Sequence, residues 1–266
     1  MFSRARILLP VFFFGIYGIY YYFSHREAVP LTGRKHMVDL SPDQEAALGL
    51  SSYRQILARE RVVPSGEVVD TVREIGRRIA EVSEAPAFRW EFNVIASRQA
   101  NAFCLPGGKV AVYTGILPVT QNRDGLAVVM GHEIAHAIAR HGAERMAQQK
   151  LMRIGEMATR VAIGDMDYNT QRGVLTAFGL GAQYGVLLPF SRDHESEADY
   201  MGLIFAARAC FDPEEAPKLW VRMGQVTGKG PAEFTSTHPS HATRIRQFAE
   251  WMPEAKKVRA ERCGAR

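Results

Sequence analysis

The sequence predicts an α+β fold, mainly helical with a small β-sheet and preceded by one N-terminal transmembrane helix. Three observations carry this. Residues 7–23 read ILLPVFFFGIYGIYYYF without a single charge. Most later stretches repeat apolar residues every three or four positions, the spacing of a helix face. Two short runs, around 90–94 and 109–114, carry strand signals instead.

The charge-free segment has about the length a bilayer-crossing helix needs, roughly 17–25 residues. Arg4 and Arg6 precede it, and bulky Tyr20-Tyr21-Tyr22-Phe23 stands where a cleavage site would need small residues. An uncleaved anchor over residues 1–24 is the expectation, its tyrosines at the membrane–water interface. The competing reading is a buried apolar helix, which the lack of a polar face argues against. Arg4 and Arg6 favour an inside amino terminus, which would put the large domain outside the cytoplasm, on the periplasmic (extracytoplasmic) side. Arg26, Arg34 and Lys35 pull the other way.

Residues 25–60 read as a connector and leading helix, with Ser41-Pro42-Asp43-Gln44-Glu45 as its start signal. Val68, Val72, Ile75, Ile79 and Val82 mark one face of an amphipathic helix. Trp90, Phe92 and Val94 alternate with Glu91 and Asn93, and Pro106-Gly107-Gly108 turns the chain into a second strand over 109–114. Asp124 is expected to cap a helix running to about residue 149, burying Leu126, Val129, Met130, Ile134 and Ile138. A second helix should begin near His194, and a third at Asp212-Pro213-Glu214-Glu215. A last helix, capped by Ser240, should carry Ile245, Phe248 and Trp251. The main domain is thus placed at 61–252, with a tail over 253–266. Residues 175–190, apolar and glycine-containing, suit a core helix or a face for a partner helix or bilayer.

The net charge of +5 is spread along the chain without basic–aromatic interleaving, which argues against nucleic acid and for anionic lipid head groups. Three cysteines, Cys104, Cys210 and Cys263, allow one disulfide at most and no framework.

Chemistry enters at HEIAH, residues 132–136. Histidines four apart on a helix lie ~40° apart on one face, close enough to share one ion. Zinc takes imidazole nitrogen readily, and a neighbouring Glu133 can exchange a proton with water without being a ligand. The flanking residues, Val128 to Gly131 before and Ala135 and Ile138 after, are apolar or small, so the histidine pair is half-sunk in a core and needs a partner. A simple surface pair of histidines fits this less well. His141, five residues on, points elsewhere and is assigned to surface or supporting contacts.

Catalytic zinc usually takes three protein ligands. SRDHESEAD (191–199) offers Glu195 as the third, with Asp199 one turn on to accept the outer N–H of a ligating histidine. Glu197 faces differently. Alone, this cluster would read as an exposed acidic helix cap; paired with HEIAH it reads as part of a metal site.

With VPLTGR (29–34), NAFCLPGGKVAVYTGIL (101–117), GHEIAHAIARH (131–141) and STHPSHATRI (236–245), the chain resembles the HtpX-like and CAAX-prenyl-protease-like zinc metallopeptidases over most of 29–250. The resemblance implies a gluzincin-type zincin domain holding one Zn2+ on His132, His136 and Glu195. It also implies Glu133 as base, Asp199 as a supporting carboxylate and His238 as a second catalytic group. Arg244 matches a family arginine with a structural or cleft-lining role. Val110, Ala111 and Val112 fall on a strand similar to the family's edge strand, where an extended substrate would pair. Cys104 departs from the small or apolar residue expected there. The implied function is a membrane-tethered endopeptidase acting on misfolded membrane or envelope proteins. The rival reading is a zinc-binding, chaperone-like assembly factor with latent proteolysis.

Overall fold

The computed structural model describes residues 5–85, 87–227 and 242–264. In chain order the helices and strands are α1 (Ala5–Ser24), β1 (Arg26–Ala28), β2 (Lys35–Met37), α2 (Pro42–Arg59), β3 (Val62–Val63) and α3 (Glu67–Val82). Next come β4 (Glu91–Ile95), β5 (Ala102–Leu105), β6 (Lys109–Tyr113), a 3-10 turn (Thr114–Ile116), α4 (Leu117–Thr120) and α5 (Arg123–Ile138). Then follow α6 (His141–Ala162), α7 (Tyr168–Ala182), a π turn (Gln183–Leu187), α8 (Leu188–Arg208), α9 (Glu215–Thr227) and α10 (Ala242–Cys263). The chain divides into two units, Met1–Leu40 with Arg140–His194 and Ser41–Ala139 with Glu195–Arg266.

In the first unit β1 and β2 form an antiparallel hairpin, and Tyr21, Met37 and Ala147 bury one another with Leu151 packed alongside. Glu144 is the polar centre. Arg34 holds it with two bonds (3.0 and 2.7 Å), and His194 Nε2 lies 2.9 Å away. Burial alone would raise the Glu144 pKa, but His194, His36 and Arg34 outweigh it and hold the carboxyl far below the usual range. His141 is buried, its ring stacked on His194 at 4.2 Å, so it is no surface residue.

The expected anchor is helical, yet no helix among the described residues is long and apolar enough to cross a membrane. The tyrosines that crowd the end of α1 carry hydroxyls, and Tyr21 is packed inward at 2% exposure. No residue of α7 is buried, so residues 175–182 are not the core helix that was one of their two expected roles.

In the second unit Ser41 caps α2 with a reciprocal capping box to Gln44, as its start signal requires. On α3, Val69 takes the buried place expected of Val68, while Val72, Ile75, Ile79 and Val82 are buried as the period demands. The sheet order is β3-β4-β6-β5, with β4 and β6 parallel and the other pairs antiparallel. All of β6 is buried, and both its sides are taken by neighbours. Val110, Ala111 and Val112 therefore do not form an edge and have no backbone groups left for a substrate. The terminal strand on that side, among the described residues, is β5.

Several boundaries move. Asn122, not Asp124, caps α5, accepting from the Gly125 N–H at 2.7 Å; Asp124 instead accepts from the Asp212 N–H at 2.8 Å. The expected single helix to 149 breaks at Arg140, which adopts a left-handed φ of 56°. Its guanidinium is held there by Glu27 (2.5 Å) and the Leu40 carbonyl (2.6 Å). α8 begins two turns before His194, and Asp212-Pro213 makes a turn that delays α9 to Glu215. The expected tail is instead the second half of α10, which continues through Pro253 to a disulfide between Cys263 and Cys210. Cys104 is free, and Ser240 lies outside the described residues.

Candidate active site

α5 is buried on nearly every side, from Gly125 to Ile138 apart from His136, so its histidines sit inside the second unit. What brings a second helix close enough to complete the group is a pair of glycines. A Cβ on Gly131 would lie 2.8 Å from the Gly202 carbonyl oxygen, and one on Gly202 would lie 2.7 Å from the His132 nitrogen. Those contacts are backbone to backbone, which only glycine permits. The crossing sets α8, and with it Glu195 and Asp199, against the HEIAH turn.

Ligand atoms of His132, His136 and Glu195 all lie within 4.8 Å of one another. The two Nε2 atoms are 3.1 Å apart, and the Glu195 oxygens stand 3.5 Å from each. Ligands at about 2.0–2.1 Å around tetrahedral zinc are ~3.3 Å apart, so the set fits the ion in size and donor type. Its charge fits too. Burial lowers the His132 pKa, but hydrogen bonds to Asp199 and Glu195 and their charges push it up to about 9. The position between these carboxylates favours a cation.

Around the three lies a second set of contacts. Asp199 Oδ1 is 3.0 Å from His132 Nδ1, the ring nitrogen facing away from the group. Arg244 grips Asp199 through Nε (2.5 Å) and Nη2 (2.6 Å) and reaches Glu195 Oε2 through Nη1 at 3.1 Å. Its guanidinium lies 3.5 Å from the centroid of the Trp220 ring, which also meets His132 edge-on. At 3% exposure Arg244 holds carboxylates, the structural one of its two expected roles, and takes the place of neither a cleft-lining nor a substrate-binding residue.

Glu133 is 4% exposed beside His132 and outside the three-ligand group. On β5, Phe103 and Leu105 pack on the cluster of Tyr53, Ile95, Ala111 and Tyr113, leaving Cys104 to the opposite face. There burial, and then the charge of Glu133, push the Cys104 thiol well above its ordinary range. β5 packs against α5, the helix that carries Glu133. Glu197, though buried, is not in the ligand group, and His238 lies outside the described residues.

The model of the family described as Peptidase family M48 matches residues 69–252, which contain every residue of this group. The chain belongs to peptidase family M48. This M48 peptidase is 42% identical over 247 residues to the mitochondrial metalloendopeptidase OMA1 of Schizosaccharomyces pombe, covering 91% of this chain and 71% of the relative. It is 32% identical over 258 residues to that of Saccharomyces cerevisiae, covering 90% and 72%. It is 30% identical over 274 residues to the human metalloendopeptidase OMA1, covering 97% of this chain and 52% of the relative. The chain is accordingly a metalloendopeptidase, and its substrates are polypeptides. Trp220 and Gly202 belong to the site without any motif to announce them; only the fold brings them to His132.

Proposed function

We propose that the chain is a zinc-dependent endopeptidase that removes faulty membrane or envelope proteins, with His132, His136 and Glu195 as ligands of one Zn2+. The observation that carries this reading is the three-residue group itself, at zinc-like separations and backed by Asp199. Zinc held there would polarise the scissile carbonyl and make water a stronger acid. Glu133 takes the proton of the attacking water and returns it to the leaving amine. Asp199 fixes the His132 ring so that Nε2 faces the ion, and Arg244 holds both carboxylates in place. Following the family likeness, we assign the developing oxyanion to His238. An extended substrate pairs on the outer edge of β5, the strand packed against the helix that carries Glu133.

We place the enzyme at a bilayer, bound through α1 and the uncovered α7. Phe12, Phe13, Ile19, Tyr20 and Phe23 on α1, with Leu180 on α7, are all more than half exposed, an apolar surface that favours lipid. The Cys210–Cys263 disulfide favours an oxidising, extracytoplasmic side for the second unit. The deciding experiment is Glu133→Gln in the full chain. Peptide hydrolysis should disappear while about one zinc per chain is retained, because the base is lost and the ligands are not. Near-normal turnover in that variant would defeat the mechanism.

A further inference from the structure

The first unit contains an apolar groove that the proposed chemistry does not use. It encloses about 720 Å3 between α1, α6 and α7, with Gly15, Gly18, Ile19, Phe23, Leu151 and Phe178 among its walls. That lies within the ~300–1,000 Å3 typical of small-molecule sites. Ile19 and Phe23 are 61% and 65% exposed, so the groove opens on the surface.

Three of its four glycines, Gly15, Gly18 and Gly181, are not needed for packing within the chain; the fourth, Gly155, lies close against Phe178. A side chain at Gly15 or Gly181 would meet nothing within 4 Å, and one at Gly18 would meet only Leu151 Cδ1 at 3.5 Å. Glycine is a costly residue inside a helix. Here it keeps space open for something the chain itself does not supply.

One end of the groove is cationic. Tyr22, Leu151 and Met152 line both the groove and a smaller cavity whose walls include Arg26 and Lys35. The hairpin register pairs Arg26 with Met37 and Ala28 with Lys35, so both basic residues point to one face. The hairpin's carboxylate, Glu27, turns to the other face, onto His36 and Arg140. Glu144, which also lines the smaller cavity, is already held by Arg34 and His194. Arg26 lies over the Tyr22 ring at 5.1 Å, and both it and Lys35 are exposed.

An apolar trough with a basic mouth matches an amphiphile with an anionic head. We infer that the groove takes one acyl chain of an anionic glycerophospholipid, its phosphate at Arg26 and Lys35. This rests on the membrane reading above and deepens it. An apolar helix of a substrate would fill the trough but would have no use for the basic mouth.

The test uses the full chain, with phosphatidylglycerol as probe and phosphatidylcholine of the same chain length as control, and counts bound lipid by native mass spectrometry. One phosphatidylglycerol per chain is expected, held more tightly than phosphatidylcholine. Arg26→Gln and Lys35→Gln should each weaken it roughly five-fold. Gly15→Leu should fill the trough and abolish retention, with an unchanged far-UV circular dichroism spectrum and unchanged protease resistance of the first unit confirming that the variant is folded. Equal retention of the two lipids, or no effect of Gly15→Leu, overturns the inference. So does a Gly15→Leu chain that binds phosphatidylglycerol normally but no longer cleaves a membrane-anchored peptide, which would assign the groove to a substrate helix. Flotation with vesicles separates the two levels. A chain that floats with none, whatever their composition, defeats the membrane reading along with the groove. One that floats but retains no single lipid defeats the groove alone.

Discussion

Asp199 places Oδ1 3.0 Å from Nδ1 of His132, and so decides which nitrogen of that ring faces the metal position. With Nδ1 facing the carboxylate, Nε2 is the nitrogen turned towards His136 and Glu195. Because Arg244 grips the same carboxylate from the other side, Asp199 cannot turn away without breaking two further bonds. Asp199→Asn should therefore weaken zinc binding by ~10–100-fold, the usual cost of losing such a supporting group. Competition against a chromogenic chelator measures it; unchanged affinity would mean the ring is oriented by something else.

Glu195 and Glu197 provide an internal control. Both are 7% exposed, but two residues on a helix turn the side chain through ~200°. Glu195→Ala should empty the site at micromolar zinc, whereas Glu197→Ala should retain about one ion per chain. Elemental analysis of the two purified variants would expose a wrong register at once if the order were reversed.

The metal-free protein should be sensitive to pH above neutrality. His132 has a pKa of about 9 in the folded chain and ~6.5 when unfolded. A raised histidine pKa contributes stability that is fully present below 6.5 and is lost as pH rises to 9. The apo chain should thus lose up to ~3 kcal/mol across that window, read from urea unfolding. Zinc loading at pH 7.5 should release about one proton, because the ion displaces the one on His132. Calorimetry in buffers of different ionisation enthalpy would contradict this if no proton appeared.

Gly202→Ala probes the helix crossing. The added methyl would meet His132 N at 2.7 Å and Gly131 C at 2.8 Å, so α8 itself must shift. The expected cost is ~1–3 kcal/mol of stability. Zinc affinity should fall with it, because Glu195 and Asp199 travel on the same helix. Thermal unfolding with and without zinc separates the two effects, and a native melting curve with native affinity would refute the crossing.

Much of this was readable in the residues. HEIAH and SRDHESEAD name their own chemistry, because ligand spacing on a helix is a local property. The capping box at Ser41 and the amphipathic period of α3 are local as well. What could not be read depends on long-range pairing. Nothing in the 109–114 stretch says that β6 will have a neighbour on each side; that follows from β4 pairing parallel with it across an intervening strand. Arg140 breaks a helix without glycine or proline because Glu27, 113 residues away in sequence, holds its side chain. Whether Arg244 is structural or lines a cleft could not be read from its sequence neighbours; it follows from Asp199 and Glu195 lying on its guanidinium.

The covalent link between Cys210 and Cys263 also bears on the enzyme's own fate as a polypeptide. It spans a separation of 53 residues that contains α9, Arg244 and the stretch around His238. A backbone cut anywhere in that interval, by a neighbouring copy or another protease, leaves the two fragments joined. The nicked enzyme keeps its apparent size on a non-reducing gel and separates only once the thiols are reduced. Self-cleavage in this part of the chain would therefore leave no fragment to see until reductant is added.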